Sequence, residues 1–196
     1  MINLFISVKI YYRHSSVKAN FLGAHAVGRA YRGRQSEYVD LVRNEMLPAA
    51  AAEGLADYVD VFCDEGFFTV EETARILEKA AEYGIRPKIH ANELAVSGGV
   101  QVGVRYNALS VDHLEKTTDA EIEALRGSGT MPTMLPGCSF FLGLPYGRAK
   151  DYIEAGLPVA LASDFPLCFT TCPDGQVCRS RQIPLHVSPK TAMLLL

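Results

Sequence analysis

Six short apolar runs, each followed by a segment of helical character, constrain the fold of this 196-residue chain more than any other feature. Several runs are almost continuously apolar, as expected for strands buried on both faces. Regular alternation of strands and helices indicates an α/β fold with a parallel sheet. The six runs are residues 17–25, 58–63, 87–91, 108–113, 130–135 and 158–164.

Local signals place the helices between these runs. Thr69 with Glu72, and Thr118 with Glu121, match the capping box that opens a helix. A third helix is predicted over residues 37–53, with a kink or split at Pro48 because proline disrupts a helix interior.

Polar side chains that can bind metals stand at the ends of four runs: His25, His90, His113 and Asp164. The carboxyl ends of parallel strands meet at one edge, where barrel enzymes place their active sites. Imidazoles and carboxylates at that edge are what a metal-assisted hydrolase needs. The pattern therefore favours a (β/α)8 barrel over a doubly wound sheet, with about six of the eight strand–helix units present.

Each candidate residue could also have a purely structural role, without binding a metal or taking part in catalysis. A single histidine at a strand end is more often structural than a ligand, and Glu93, three residues after His90, adds little by itself. Asp164 fits a helix N-cap as well as a metal ligand. The hypothesis of a site depends on the joint placement of these residues.

Composition excludes other classes of protein. A net charge of −3 without a basic surplus argues against nucleic-acid binding. The apolar stretch at residues 1–8 is too short to span a bilayer and lacks the features of a signal peptide, so we expect no membrane association and a cytoplasmic location. The sequence is compatible with assembly into a homo-oligomer.

The pattern is lost after residue 165. We expect an incomplete barrel over residues 1–165 and an irregular tail over 166–196, which we interpret as out of frame. Three of the five cysteines lie in this tail, but their spacing is not that of a zinc site.

Stretches across residues 17–165 resemble the imidazolonepropionase family of the amidohydrolase superfamily, in order and in spacing. The stretches are Phe-Leu-Gly-Ala-His-Ala from Phe21, Tyr-Val-Asp-Val-Phe-Cys-Asp from Tyr58, Ile-His-Ala-Asn-Glu from Ile89, Asp-His-Leu from Asp112, Leu-Pro-Gly from Leu135, and Ala-Leu-Ala-Ser-Asp-Phe from Ala160.

The resemblance implies a metal-dependent barrel hydrolase that opens the ring of 4-imidazolone-5-propanoate to give N-formimidoyl-L-glutamate in histidine degradation. It implies a zinc or iron ion held by His90 and Asp164, with catalytic roles for Glu93, His113 and Asp164. Glu93 and His113 would orient and deprotonate the attacking water, and His25, together with Glu93, would bind the small-molecule substrate.

Two departures accompany this resemblance. The family's His-x-His metal pair on the first barrel strand is absent, and residues after Phe165 do not follow the family pattern. We therefore expect a fragment with weak metal affinity. The alternatives are another cyclic-amide amidohydrolase or deaminase, and an inactive partial barrel.

Overall fold

The computed structural model describes residues 18–162 and residue 164, together with the backbone of residues 192–194. Within these residues seven strands form one sheet, and every strand pairs in parallel with the next along the chain. They are β1 (Asn20–Ala24), β2 (Tyr58–Cys63), β3 (Arg86–Ala91), β4 (Ser110–His113), β5 (Met131–Met134), β6 (Val159–Leu161) and β7 (Ala192–Leu194).

The strand order decides between the two predicted architectures. A doubly wound sheet reverses its strand order at a switch point, whereas here the order is consecutive from β1 to β7. A consecutive parallel sheet is an arc of an α/β barrel, as the strand-end pattern predicts. Residues 192–194 form a short strand in the segment predicted to be irregular; the remaining tail residues and the predicted boundary at 165 lie outside the described residues.

Seven α-helices of the described residues connect these strands. They are α1 (Gln35–Leu41), α2 (Leu47–Ala52), α3 (Val70–Glu82), α4 (Gly99–Arg105), α5 (Asp119–Leu125), α6 (Pro136–Leu142) and α7 (Ala149–Glu154). Both predicted capping boxes are present, at Thr69 with Glu72 and at Thr118 with Glu121. None of the helices in the described part of the chain has the length and apolar character needed to cross a membrane.

The helix predicted over residues 37–53 is split, but the break precedes Pro48. A π-helical turn, Val42–Met46, separates α1 from α2. Pro48 has no N–H, and its ring clashes with the carbonyl four residues earlier, which lies inside that turn. The proline therefore accounts for the change from the α-helical to the π-helical hydrogen-bond pattern in the turn before it.

One other element differs from the sequence prediction, and one predicted strand contains an unusual residue. Helix α6 begins directly after β5 with Pro136 in its first turn, where the sequence pattern predicts no helix. Pro132 lies inside β5 although β5 pairs on both sides. Proline is rare in central strands because it has no N–H for the ladder.

The two faces of the sheet differ in polarity. On one face Val61, Ile89 and Val111 lie in neighbouring register and are buried in the core with residues of α3 and α4. The opposite face aligns Asp60 with Lys88 and His90 with Asp112. Lys88 Nζ lies 2.9 Å from Asp112 Oδ2, so this face carries charged pairs.

We predict that Gly99→Ala destabilises the chain, because α4 packs too closely on the sheet for a side chain at this position. A Cβ atom on Gly99 would lie 2.8 Å from the Cys63 carbonyl oxygen and 2.8 Å from Ala91 Cβ. Overpacking of this kind outweighs the helix propensity gained with alanine, so we expect a net loss of about 1–2 kcal/mol in the free energy of unfolding. Urea denaturation followed by circular dichroism measures this loss.

Gly129→Ala is the matched control, since its Cβ would meet Asn107 Oδ1 at an ordinary 3.5 Å. Equal unfolding midpoints for the two variants would contradict the predicted close packing of α4.

Candidate functional site

Three histidines from three strands lie side by side at the carboxyl edge of the sheet. His25 directly follows β1, His90 is in β3, and His113 ends β4. The ring centroids of His25 and His90 are 4.4 Å apart, and those of His90 and His113 are 4.9 Å apart. The structure therefore brings together the three histidines that the sequence singles out.

A buried carboxylate on the neighbouring strand β2, that of Asp60, joins two of these histidines. Its Oδ1 atom accepts a hydrogen bond of 2.8 Å from His90 Nδ1 and lies 3.3 Å from His25 Nε2. Burial alone would raise the pKa of Asp60, but the two imidazoles hold it well below its usual range. Burial would likewise lower the pKa of His90, yet the charge and hydrogen bond of Asp60 raise it to about 9.

This contact determines which nitrogen of His90 can bind a metal. Nδ1 is engaged by Asp60, so Nε2 is the nitrogen left for a metal ion. A carboxylate on the remote nitrogen is the usual environment of a ligating histidine because it fixes the ring orientation and raises the ligand's basicity. The histidine–carboxylate set at this edge thus fits a zinc or iron ion in its chemistry.

Glu93 lies in a tight loop after β3 that a second aspartate organises. Asp64 is buried directly after β2, and its carboxylate accepts the backbone N–H groups of Glu93, Leu94 and Ala95 at 2.8, 2.9 and 3.1 Å. Asn92 precedes them with φ +56°. Because these contacts fix the loop backbone, the Glu93 side chain is presented toward the histidines.

The Glu93 carboxylate faces His113. Its Oε2 atom lies 3.6 Å from His113 Nδ1. Burial raises the pKa of Glu93, and the nearby Glu115 and Asp164 carboxylates raise it further. A carboxyl group with a raised pKa is suited to accept and return a proton near neutral pH.

Backbone strain is concentrated at this edge. Among the described residues, five that are not glycine have positive φ, and four of them lie at the carboxyl ends of these strands: Asn92, His113, Leu114 and Asp164, with φ of 56°, 84°, 66° and 54°. Such conformations cost of order 1–3 kcal/mol each and persist where the surrounding structure requires them. Such clusters are typical of functional sites.

Asp164 follows β6 and is partly buried. Its effect on the pKa of Glu93 places its charge near the same edge. The metal-binding and catalytic roles predicted for His90, Glu93, His113 and Asp164 remain predictions, as does the substrate-binding role of His25.

Sequence reasoning missed four side chains of the site: Asp60, Asp64, Glu115 and Cys138. Asp60 interrupts an apolar strand as Val59-Asp60-Val61, which is a detectable signal because strand interiors disfavour aspartate. Cys138 lies in helix α6, which the sequence does not predict, so there was no basis for placing it near the strand ends.

Comparisons with known proteins agree with this architecture. No family model matches the chain. It is 53% identical over 150 residues to an imidazolonepropionase of Flavobacterium johnsoniae and 52% identical over 149 residues to one of Christiangramia forsetii. Each alignment covers 76% of this chain and 36% of the relative, so the chain spans about a third of the length of the curated relatives it matches.

Solved structures of low sequence identity share the fold. A mutant of atrazine chlorohydrolase TrzN from Arthrobacter aurescens TC1, complexed with zinc and atraton, matches with a TM-score of 0.52 and 12% identity over 72% of this chain and 37% of that chain. A triazine hydrolase matches with a TM-score of 0.53 and 15% identity over 70% of this chain and 35% of that chain.

The consecutive parallel strands form an arc of an α/β barrel, and side chains that can bind metals lie at its strand ends. At 52% and 53% identity, the matched segment of this chain is similar to the corresponding third of imidazolonepropionases.

We predict that Asp64→Asn loosens the Glu93 loop. The asparagine amide has one acceptor oxygen and one NH2 group, whereas both carboxylate oxygens of Asp64 accept backbone N–H groups in this loop. At least one of these N–H groups would therefore lose its acceptor. We expect faster hydrogen exchange at the amides of Glu93, Leu94 and Ala95, measured by NMR.

Glu65→Gln, at the exposed neighbouring position, serves as the control and should leave these amides protected. Unchanged exchange in the Asp64 variant would show that its carboxylate does not hold the loop.

Proposed function

We propose that this chain serves the metal-dependent hydrolysis of 4-imidazolone-5-propanoate to N-formimidoyl-L-glutamate, a step of histidine degradation in the cytoplasm. The observation that supports this most directly is the contiguous row of His25, His90 and His113, with Glu93 beside it. These four residues lie in a chain of which 76% aligns with imidazolonepropionases at more than half identity.

In this proposal His90 and Asp164 hold a zinc or iron ion. His90 suits that role because Asp60 engages its Nδ1 atom. When bound, the ion supplies Lewis-acid chemistry, in that it polarises the ring carbonyl and makes a water molecule more acidic. The TrzN mutant that shares the fold is complexed with zinc, which is consistent with this choice of metal.

The chain's own residues handle the protons. Glu93, with its raised pKa, accepts a proton from the attacking water. The water oxygen bonds to the carbonyl carbon, the ring C–N bond breaks, and the leaving nitrogen takes up a proton. His113, 3.6 Å from Glu93, is placed to exchange protons with it. His25 borders His90 on the other side and is placed to contact the substrate.

A hydrolase for another cyclic amide, or a deaminase, is the second candidate. His90, His113 and Asp164 suit amidohydrolases in general, and the fold neighbours include triazine hydrolases. A substrate panel of imidazolonepropionate, hydantoins and aminated purines separates the two candidates.

We predict that this chain's segment can replace its counterpart in a complete enzyme. A chimera of the F. johnsoniae imidazolonepropionase carrying residues 18–164 of this chain should bind zinc or iron and hydrolyse imidazolonepropionate. Metal content and turnover are measured on the purified chimera, beside the 196-residue chain alone.

The control chimera carries His90→Ala and should lose metal and activity together. A folded, metal-loaded chimera without turnover would reject the proposed function, and turnover only on other members of the panel would favour the second candidate.

We also predict a separate effect for Glu93→Gln in that chimera. Loss of the proton acceptor should lower kcat by about 10²–10⁴-fold while metal content is retained. Glu45→Gln, on the exposed side of the π-helical turn, is the matched control and should not change kcat. A Glu93 variant with full kcat would exclude Glu93 as the base.

A further inference from the structure

Four potential metal donors lie together at the His113 end of the histidine row. Glu93 follows β3, His113 and Glu115 come from the end of β4, and Cys138 lies in α6. Donor atoms of Glu93, His113 and Cys138 all lie within 4.8 Å of one another. None of the metal roles discussed above involves Glu115 or the thiol.

Two of these donors are buried without hydrogen-bond partners among the described residues. His113 is 3% exposed, and its Nδ1 atom has no such partner in this part of the chain; the same is true of Glu115 Oε2. Buried polar atoms are nearly always hydrogen-bonded, and exceptions in a native fold call for an ion or a water molecule. Both atoms therefore point to a ligand at this place.

The spacing of these atoms suits an ion better than a hydrogen bond. His113 Nδ1 lies 3.6 Å from Glu93 Oε2 and 3.7 Å from Glu115 Oε2, beyond ordinary hydrogen-bond length. Ligands around a tetrahedral zinc ion are about 3.3–3.8 Å apart, given metal–ligand distances of about 2.0–2.3 Å. A cation between these atoms would also offset the repulsion between the carboxylates of Glu93 and Glu115.

Ser139 orients one of the two carboxylates of this cluster, that of Glu115. Its hydroxyl donates a hydrogen bond of 2.7 Å to Glu115 Oε1 and so orients Oε2 toward His113. A cleft lined by His113, Glu115, Ser139 and Tyr146 borders two of the four donors.

We propose that Glu93, His113, Glu115 and Cys138 form a thiolate-containing site for zinc or a similar soft divalent ion, separate from the His90 and Asp164 pair. One imidazole, one thiolate and two carboxylates are a donor set that zinc and cadmium accept. If the proposed function holds, an ion here occupies Glu93 and His113 and so excludes turnover. The existence of the site does not depend on that function.

Cadmium ion is the probe, because a cadmium–thiolate bond absorbs in the ultraviolet whereas nitrogen and oxygen ligands do not. The test uses the full chain with Cys168, Cys172 and Cys178 changed to serine, so that tail thiols do not contribute. We expect one equivalent of Cd²⁺ to produce the thiolate band, and an equivalent of Zn²⁺ to compete with it. Cys138→Ala should abolish the band, whereas Cys63→Ala, which removes the other buried thiol, should retain it.

Ser139→Ala provides a second variant that keeps the thiol. Loss of its hydrogen bond to Glu115 should weaken cadmium binding by about 10–100-fold. Circular dichroism checks that each variant is folded. In the chain that keeps Cys63 and Cys138, ¹¹³Cd NMR should report one sulfur ligand, and this measurement does not require the Cys138→Ala variant to fold. Absence of the band at stoichiometric cadmium, or its persistence in folded Cys138→Ala, overturns the proposal.

Discussion

The buried carboxylate of Asp60 is the contact on which the arrangement of the strand edge depends. A carboxylate at this depth is costly without polar partners, and the imidazoles of His90 and His25 lie 2.8 and 3.3 Å from it. The same contacts fix the positions of both rings, and His113 completes the row against His90. The register of β1, β2 and β3 therefore places His25 and His90 side by side, and β4 adds His113 to the row.

Features encoded within a few residues were predictable from the sequence. The capping boxes at Thr69 and Thr118 are local patterns, and both helices begin where those patterns place them. Strand ends were predictable as well, because one apolar run ends just after His90 and another ends at His113. Since parallel strands share one carboxyl edge, the convergence of the histidines followed from topology.

Features that depend on contacts across the sheet were not predictable in this way. Asp60 meets His90, 30 residues further along the chain, only through the pairing of β2 with β3. The position of Cys138 depends on helix α6, which opens with Pro136 and Gly137 and has no side-chain cap. A helix of this kind is stabilised by tertiary packing rather than by its own sequence, so neither the helix nor its thiol could be placed beforehand.

The three backbone contacts made by Asp64 have a consequence for how the site tolerates change. Asp64 comes directly after β2, the Glu93 loop comes directly after β3, and the two strands pair at six consecutive positions. A slip of two residues between these strands would preserve the inward and outward alternation of side chains but would move Asp64 by about 7 Å relative to the loop. The N–H groups of Glu93, Leu94 and Ala95 would then lose their carboxylate acceptor. Asp64 thus makes the correct pairing of two strands energetically distinct from the nearest incorrect one, and it does so with the same contacts that position Glu93.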